Sequence, residues 1–194
     1  MAATRSRTSK TNPPMAFEQR LILNQYLLSL LGKSRFEDLA ASLKPAQEGL
    51  DENNISHFYY GLMGGLPFDC ALSRDLLLIY DQNIVSHTFH LQDRRPQSIN
   101  WKYFQWLSLL FTEIYLDRYF SNAEQLLTDL IKVVDRFNDT HRSVDKIDLY
   151  TLEDLKKLAF WNATGSGKTL LMHINILQYQ HYLKQQGRDH TLNR

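Results

Sequence analysis

Residues 97–122 read QSINWKYFQWLSLLFTEIYLDRYFSN, and this stretch decides the fold class. Trp101, Phe104, Trp106, Leu107, Leu110, Phe111, Ile114 and Tyr115 leave its middle almost no polar surface. A helix that is apolar nearly all round is normally central to a bundle, because every face needs cover. The flanking segments can supply that cover. Downstream, Ser121-Asn122-Ala123-Glu124 has the form of a capping box, and Ala123, Leu126, Leu127, Leu130, Val134 and Phe137 follow on one helical face. Upstream, Leu72 to Gln92 contains no Gly or Pro and predicts a helix closed by Pro96.

Further upstream the same period continues. Phe17, Leu21, Leu28 and Leu31 predict a helix over 15–31 that stops at Gly32. Ser34-Arg35-Phe36-Glu37 is another capping-box pattern, predicting a short helix to about Leu43, before Pro45. A helix over 51–63 is expected to start at Asp51 and end at Gly64-Gly65. No strand alternation and no repeat period occur in residues 15–137. Residues 15–140 therefore read as an all-helical domain of five or six helices, large enough to bury its own core. Residues 1–14 (MAATRSRTSKTNPP) read as a disordered tail, because Arg5, Arg7 and Lys10 are followed by no apolar segment of a secretory signal.

Composition narrows the function classes. The 194 residues carry 22 Lys+Arg against 21 Asp+Glu, so there is no global basic field for nucleic acid. The single cysteine, Cys70, excludes an internal disulfide. No uncharged apolar run approaches the roughly 18 residues of a membrane helix. A cytoplasmic setting without membrane attachment is expected.

The character of the chain changes after residue 146. Thr151-Leu152-Glu153-Asp154 can cap a short helix, and Leu158-Ala159-Phe160-Trp161 is an apolar run of strand type. Then comes Asn162-Ala163-Thr164-Gly165-Ser166-Gly167-Lys168-Thr169, followed by Leu170, Leu171, Ile174, Leu177 and Tyr182 at helical spacing up to Gly187. The expected order is strand, glycine loop, helix: the start of an α/β domain over 147–194, which the resemblance given below implies to be RecA-like, on an otherwise mainly α chain. Gly165-Ser166-Gly167-Lys168-Thr169 is a phosphate-loop (Walker A) signature. Polyphosphate needs many donors and little side-chain bulk. Gly165 and Gly167 let backbone N–H groups turn inward as an anion nest, and the following helix points its positive end at the phosphates. Lys168 is placed for the β- and γ-phosphates of ATP, and the Thr169 hydroxyl for Mg²⁺. Asn162 stands where the general pattern has its first glycine.

Ala163-Thr164-Gly165-Ser166-Gly167-Lys168-Thr169 resembles motif I of superfamily-two helicases and translocases. Leu158–Trp161 and Leu170-Leu171-Met172-His173 are similar to the flanks found in DEAD/DEAH-type helicases and type III restriction enzyme Res subunits. Residues 15–140 resemble the helical extension of some defence-type helicases. The resemblance implies ATP-driven translocation on DNA, with Thr164, Gly165, Ser166, Gly167, Lys168 and Thr169 holding ATP and Mg²⁺, Lys168 being the catalytic lysine. It also implies an Asp-Glu motif after a later strand, an arginine finger and often an adenine-reading glutamine. After Thr169 the only acid is Asp189, and no glutamine lies between residues 126 and 177. The chain is therefore expected to be the amino-terminal part of a longer motor, able to bind nucleotide but not to hydrolyse it. DNA and a methyltransferase-type or other defence subunit are the expected partners.

Two alternatives stand beside this reading. One is another class of P-loop NTPase. The other is a helical protein-interaction module with an idle phosphate loop. Elsewhere, His87-x-x-His90 is half of a possible zinc site without a completing pair, and Cys70 has no second cysteine. Arg94, Arg95, Arg142, Lys146, Lys156 and Lys157 read more simply as solvated charges than as a DNA contact. Trp101, Trp106, Phe111 and Tyr119 read as core rather than as base-stacking platforms.

Overall fold

The structure, a computed structural model, describes residues 17–93, 95–141 and 145–188. The expected tail 1–14, together with Arg94 and Arg142, lies outside the described residues. Within them the chain is mainly helical: α1 (Ile22–Leu30), α2 (Phe36–Leu43), α3 (His57–Gly65), α4 (Arg74–Gln92), α5 (Tyr103–Thr140) and α6 (Lys168–Gln185). Only an isolated antiparallel bridge, Leu50 to Ser56, is of β type among the described residues.

α5 is the axis, as its all-round apolar sequence requires. Trp106, Leu107, Leu109, Leu110 and Ile114 are buried, and α1, α2, α4 and α6 all pack on it. Its 38 residues break once, at Asn122, whose φ of −160° and ψ of 90° are not helical. The Asn122 side-chain oxygen accepts the Gln125 N–H at 2.9 Å, so the second half restarts with an asparagine N-cap. The capping box expected from Ser121 is thus displaced by one residue. The second half buries Leu126, Leu130, Val133, Val134 and Phe137.

Other boundaries differ from expectation for similarly local reasons. Residues 17–20 form a single 3₁₀ turn before α1 rather than part of one long helix. α1 ends where expected: Gly32 has φ +64°, and a Cβ there would lie 2.3 Å from the Pro67 ring. α2 is capped by Arg35 in extended conformation, without a side-chain cap bond. The helix expected from Asp51 starts five residues later at its N-cap Ser56, whose hydroxyl accepts the Phe58 N–H. Asp51 instead closes the preceding turn, accepting the Asn53 and Ile55 N–H groups.

Asp81 of α4 ties three elements together. Its carboxylate accepts the Ser56 N–H at 2.9 Å and the Trp106 indole N–H at 2.8 Å. Burial lifts its pKa to about 6 despite those two bonds. Trp101 is likewise buried and donates to Thr88 Oγ1. Both tryptophans are core residues. The core does not stop at residue 140: Leu155, Leu171, Ile174 and Tyr182 belong to the same apolar cluster as α1 to α5. No helix among the described residues is long and apolar enough to cross a membrane.

Candidate phosphate-binding site

The site is built on the first turn of α6 and the loop before it. Tyr115 of α5 donates its hydroxyl to the Leu155 carbonyl and fixes the start of the segment. The Thr151 N–H and hydroxyl both bond Asp154, forming one short 3₁₀ turn over Asp154–Lys156. Residues 158–163 then run without regular structure, so the strand expected at Leu158–Trp161 is not formed. A strand needs a neighbour to take its backbone hydrogen bonds, and no described segment lies beside it as a pairing partner.

The loop itself takes the shape its glycines require. Ser166 N–H donates to the Ala163 carbonyl at 3.2 Å, closing a turn. Gly165 and Gly167 have φ of +78° and +82°, the left-handed region that L side chains rarely adopt. Gly167 is the N-cap of α6, Lys168 its first residue and Thr169 its second. Among the described residues nothing accepts from the N–H groups of Gly165, Gly167, Lys168 and Thr169. These donors gather at the positive end of an 18-residue helix.

Lys168 is exposed and its ammonium donates to the Asn162 carbonyl at 3.2 Å, reaching back across the loop. That bond occupies one of its three donors, and a phosphate oxygen can replace a neutral carbonyl there with gain. Thr169 is exposed beside it, in position for one Mg²⁺ ligand; such an ion takes most of its remaining ligands from phosphate and water. Thr164 is exposed, and the half-buried Ser166 leaves its hydroxyl without a partner. The six residues expected at the site therefore span this turn and the start of α6.

Sequence reasoning missed one contact. The side-chain amide of Gln105, in the first turn of α5, donates to the Ser166 carbonyl at 2.8 Å across 61 residues. The same side chain also caps α5: Gln105 Oε1 accepts the Lys102 N–H at 2.9 Å.

From Lys168 and Thr169 a groove of about 920 Å³ runs along α6. Its walls are largely apolar, with Tyr115, Phe120, Leu158, Phe160, Met172 and Tyr179 prominent. On its other side α6 meets a buried polar cluster. Glu113 Oε2 accepts from Asn83 at 3.1 Å and from the Tyr182 hydroxyl at 2.9 Å, and the Gln178 amide donates to the Leu109 carbonyl. Asp117 takes the Tyr80 hydroxyl at 2.7 Å. Both carboxylates are thereby engaged away from the loop.

No three His, Cys, Asp or Glu side chains among the described residues are grouped to hold a metal. His87 packs its ring on that of His181 at 5.5 Å, and burial pushes its pKa down to about 4. The Cys70 thiol is half-buried and donates to the Leu30 carbonyl. Lys156 pairs with Glu153 on the surface. In comparisons with known proteins, no family model, curated protein or solved structure gives a significant match to this chain.

Proposed function

We propose that residues 164–169 bind the triphosphate of ATP with Mg²⁺, and that the chain serves an ATP-driven DNA helicase or translocase of restriction or defence type. One observation carries the nucleotide reading: two left-handed glycines deliver four unclaimed N–H groups and the Lys168 ammonium to one helix N-terminus. Lys168 exchanges the Asn162 carbonyl for the β- and γ-phosphates. The Thr169 hydroxyl ligates the Mg²⁺ that accompanies them. The motif I resemblance supports the motor reading. The carboxylate pair and arginine finger of such a motor are to come from residues other than these, as are most of the DNA contacts. A methyltransferase-type subunit is the partner expected on the helical domain.

Titration of the 194-residue protein with MgATP, followed calorimetrically, tests the nucleotide reading. Binding is expected in the parent, with Lys168→Ala lowering affinity about 10- to 100-fold, since a charge-assisted contact to phosphate is lost. Equal binding by both proteins would overturn it.

The apolar groove favours a second reading, that of an interaction module. Phe160, Met172, Ile176 and Tyr179 are each more than 40 % exposed along it, an apolar surface of the kind that marks binding faces. That reading expects no MgATP binding by either protein.

A further inference from the structure

We infer that Gln105 is the positioning residue that shapes the phosphate loop from the first turn of α5; its effect on affinity rests on the nucleotide reading above. The side chain is held at both ends. Its Oε1 accepts the Lys102 N–H at 2.9 Å, and its Nε2 donates to the Ser166 carbonyl at 2.8 Å. Lys102 is itself tied to Glu48 by an ion pair of 2.7 Å.

The consequence follows from peptide geometry. In a trans peptide the carbonyl of one residue and the N–H of the next point in opposite directions. Drawing the Ser166 carbonyl toward Gln105 therefore turns the Gly167 N–H away from α5, as a donor that no described residue uses. Were this peptide to flip, a carbonyl oxygen would face the incoming phosphate and repel it. The amide also sits where a side chain at 167 would be: a Cβ on Gly167 would lie 2.6 Å from Gln105 Nε2. A long flexible side chain normally yields to such a contact. The φ of +82° is what requires the glycine, and a side chain there would also displace the Gln105 amide.

Two substitutions separate loop positioning from helix capping. Gln105→Glu keeps the acceptor for Lys102 and removes the donor to Ser166. Gln105→Ala removes both. Hydrogen exchange is measured on the nucleotide-free proteins at the Ser166, Leu170 and Leu171 amides, which bond the Ala163 and Gly167 carbonyls of the loop, with MgATP affinity by calorimetry and stability by urea unfolding. Both variants should exchange these amides about tenfold faster, as expected for losing one hydrogen bond of about 1.4 kcal/mol. Both should also bind MgATP about tenfold more weakly, and Gln105→Ala should lower the urea midpoint further than Gln105→Glu because it loses the cap as well. If Gln105→Glu matches the parent in loop exchange, Gln105 is a capping residue and the inference is overturned. If it speeds exchange but leaves MgATP affinity at the parent value, the control of affinity is overturned. A parent that binds no MgATP refutes the nucleotide reading instead, and loop exchange then decides the role of Gln105 alone.

Discussion

The two sides of α6 are both apolar and meet very different fates. Ile174 is wholly buried, while Ile176, two residues on, is 47 % exposed. Tyr182 lies with Ile174 in the core; Met172 and Tyr179 line the open groove. Hydrophobicity alone does not choose between such faces, because either would gain by burial. The choice is made by polar matching. Gln178 meets the Leu109 carbonyl and Tyr182 meets Glu113, both on α5, and neither group would find a partner with α6 turned over. Buried hydrogen bonds thus set the rotation of the helix whose first turn carries Lys168.

The comparison breaks most visibly in the core. Ile174→Ala should cost about 3 kcal/mol by loss of buried methyl groups and the cavity left behind. Urea unfolding of the parent and variant, monitored by tryptophan fluorescence, measures it. A cost below about 1 kcal/mol would mean that α6 contributes little to the cooperative fold.

The polar face has a pH dependence of definite sign. Burial raises the Glu113 carboxyl from an ordinary value near 4.5 to about 7, outweighing the bonds from Asn83, Tyr182 and Gln178 that favour its charged form. Glu113 Oε1 is buried without a partner, which adds to the cost of the charged form. A carboxyl whose folded pKa is raised stabilises the fold below its unfolded pKa and loses that contribution as pH rises through the folded value. Stability should therefore fall between pH 4.5 and 7, at up to about 1.4 kcal/mol per pH unit. Asp81, also raised by burial, adds a slope of the same sign. His87, depressed to about 4, opposes it below its ordinary pKa. Glu113→Gln isolates the one term, since the amide can accept from Asn83 and Tyr182. It should match the parent near pH 4.5 and exceed it by about 3 kcal/mol at pH 8. Parallel pH profiles for the two proteins would refute the assignment.

How much of this was legible follows from the range of each interaction. The central helix and the two left-handed glycines before α6 were readable because apolar periodicity and glycine's backbone freedom act within a few residues. Helix starts were less so: Asn122 rather than Ser121 caps the second half of α5, and Ser56 rather than Asp51 starts α3. Several side chains can cap, and packing of the buried face decides the register. The strand at Leu158–Trp161 was misread because four apolar residues fit an exposed irregular run as well as a strand. Gln105 to Ser166 and Glu113 to Tyr182 span 61 and 69 residues, and no local pattern announces such pairs.

The smallest expected effect tests the open face. Ile176→Gln and Met172→Gln replace side chains that are 47 % and 52 % exposed. Glutamine is as good a helix former as methionine and better than isoleucine, so local propensity opposes neither change. Little buried apolar area is lost and no cavity forms. Both variants should stay within about 0.5 kcal/mol of the parent in dilute solution. A loss above about 1 kcal/mol would mean that these side chains are covered in solution. Because cover by a second copy depends on mass action, that loss would shrink on dilution, whereas cover by the protein's own chain would not. The dilution series therefore distinguishes a face left free for a partner from one already occupied, which is the difference between the two sides of α6 in its sharpest form.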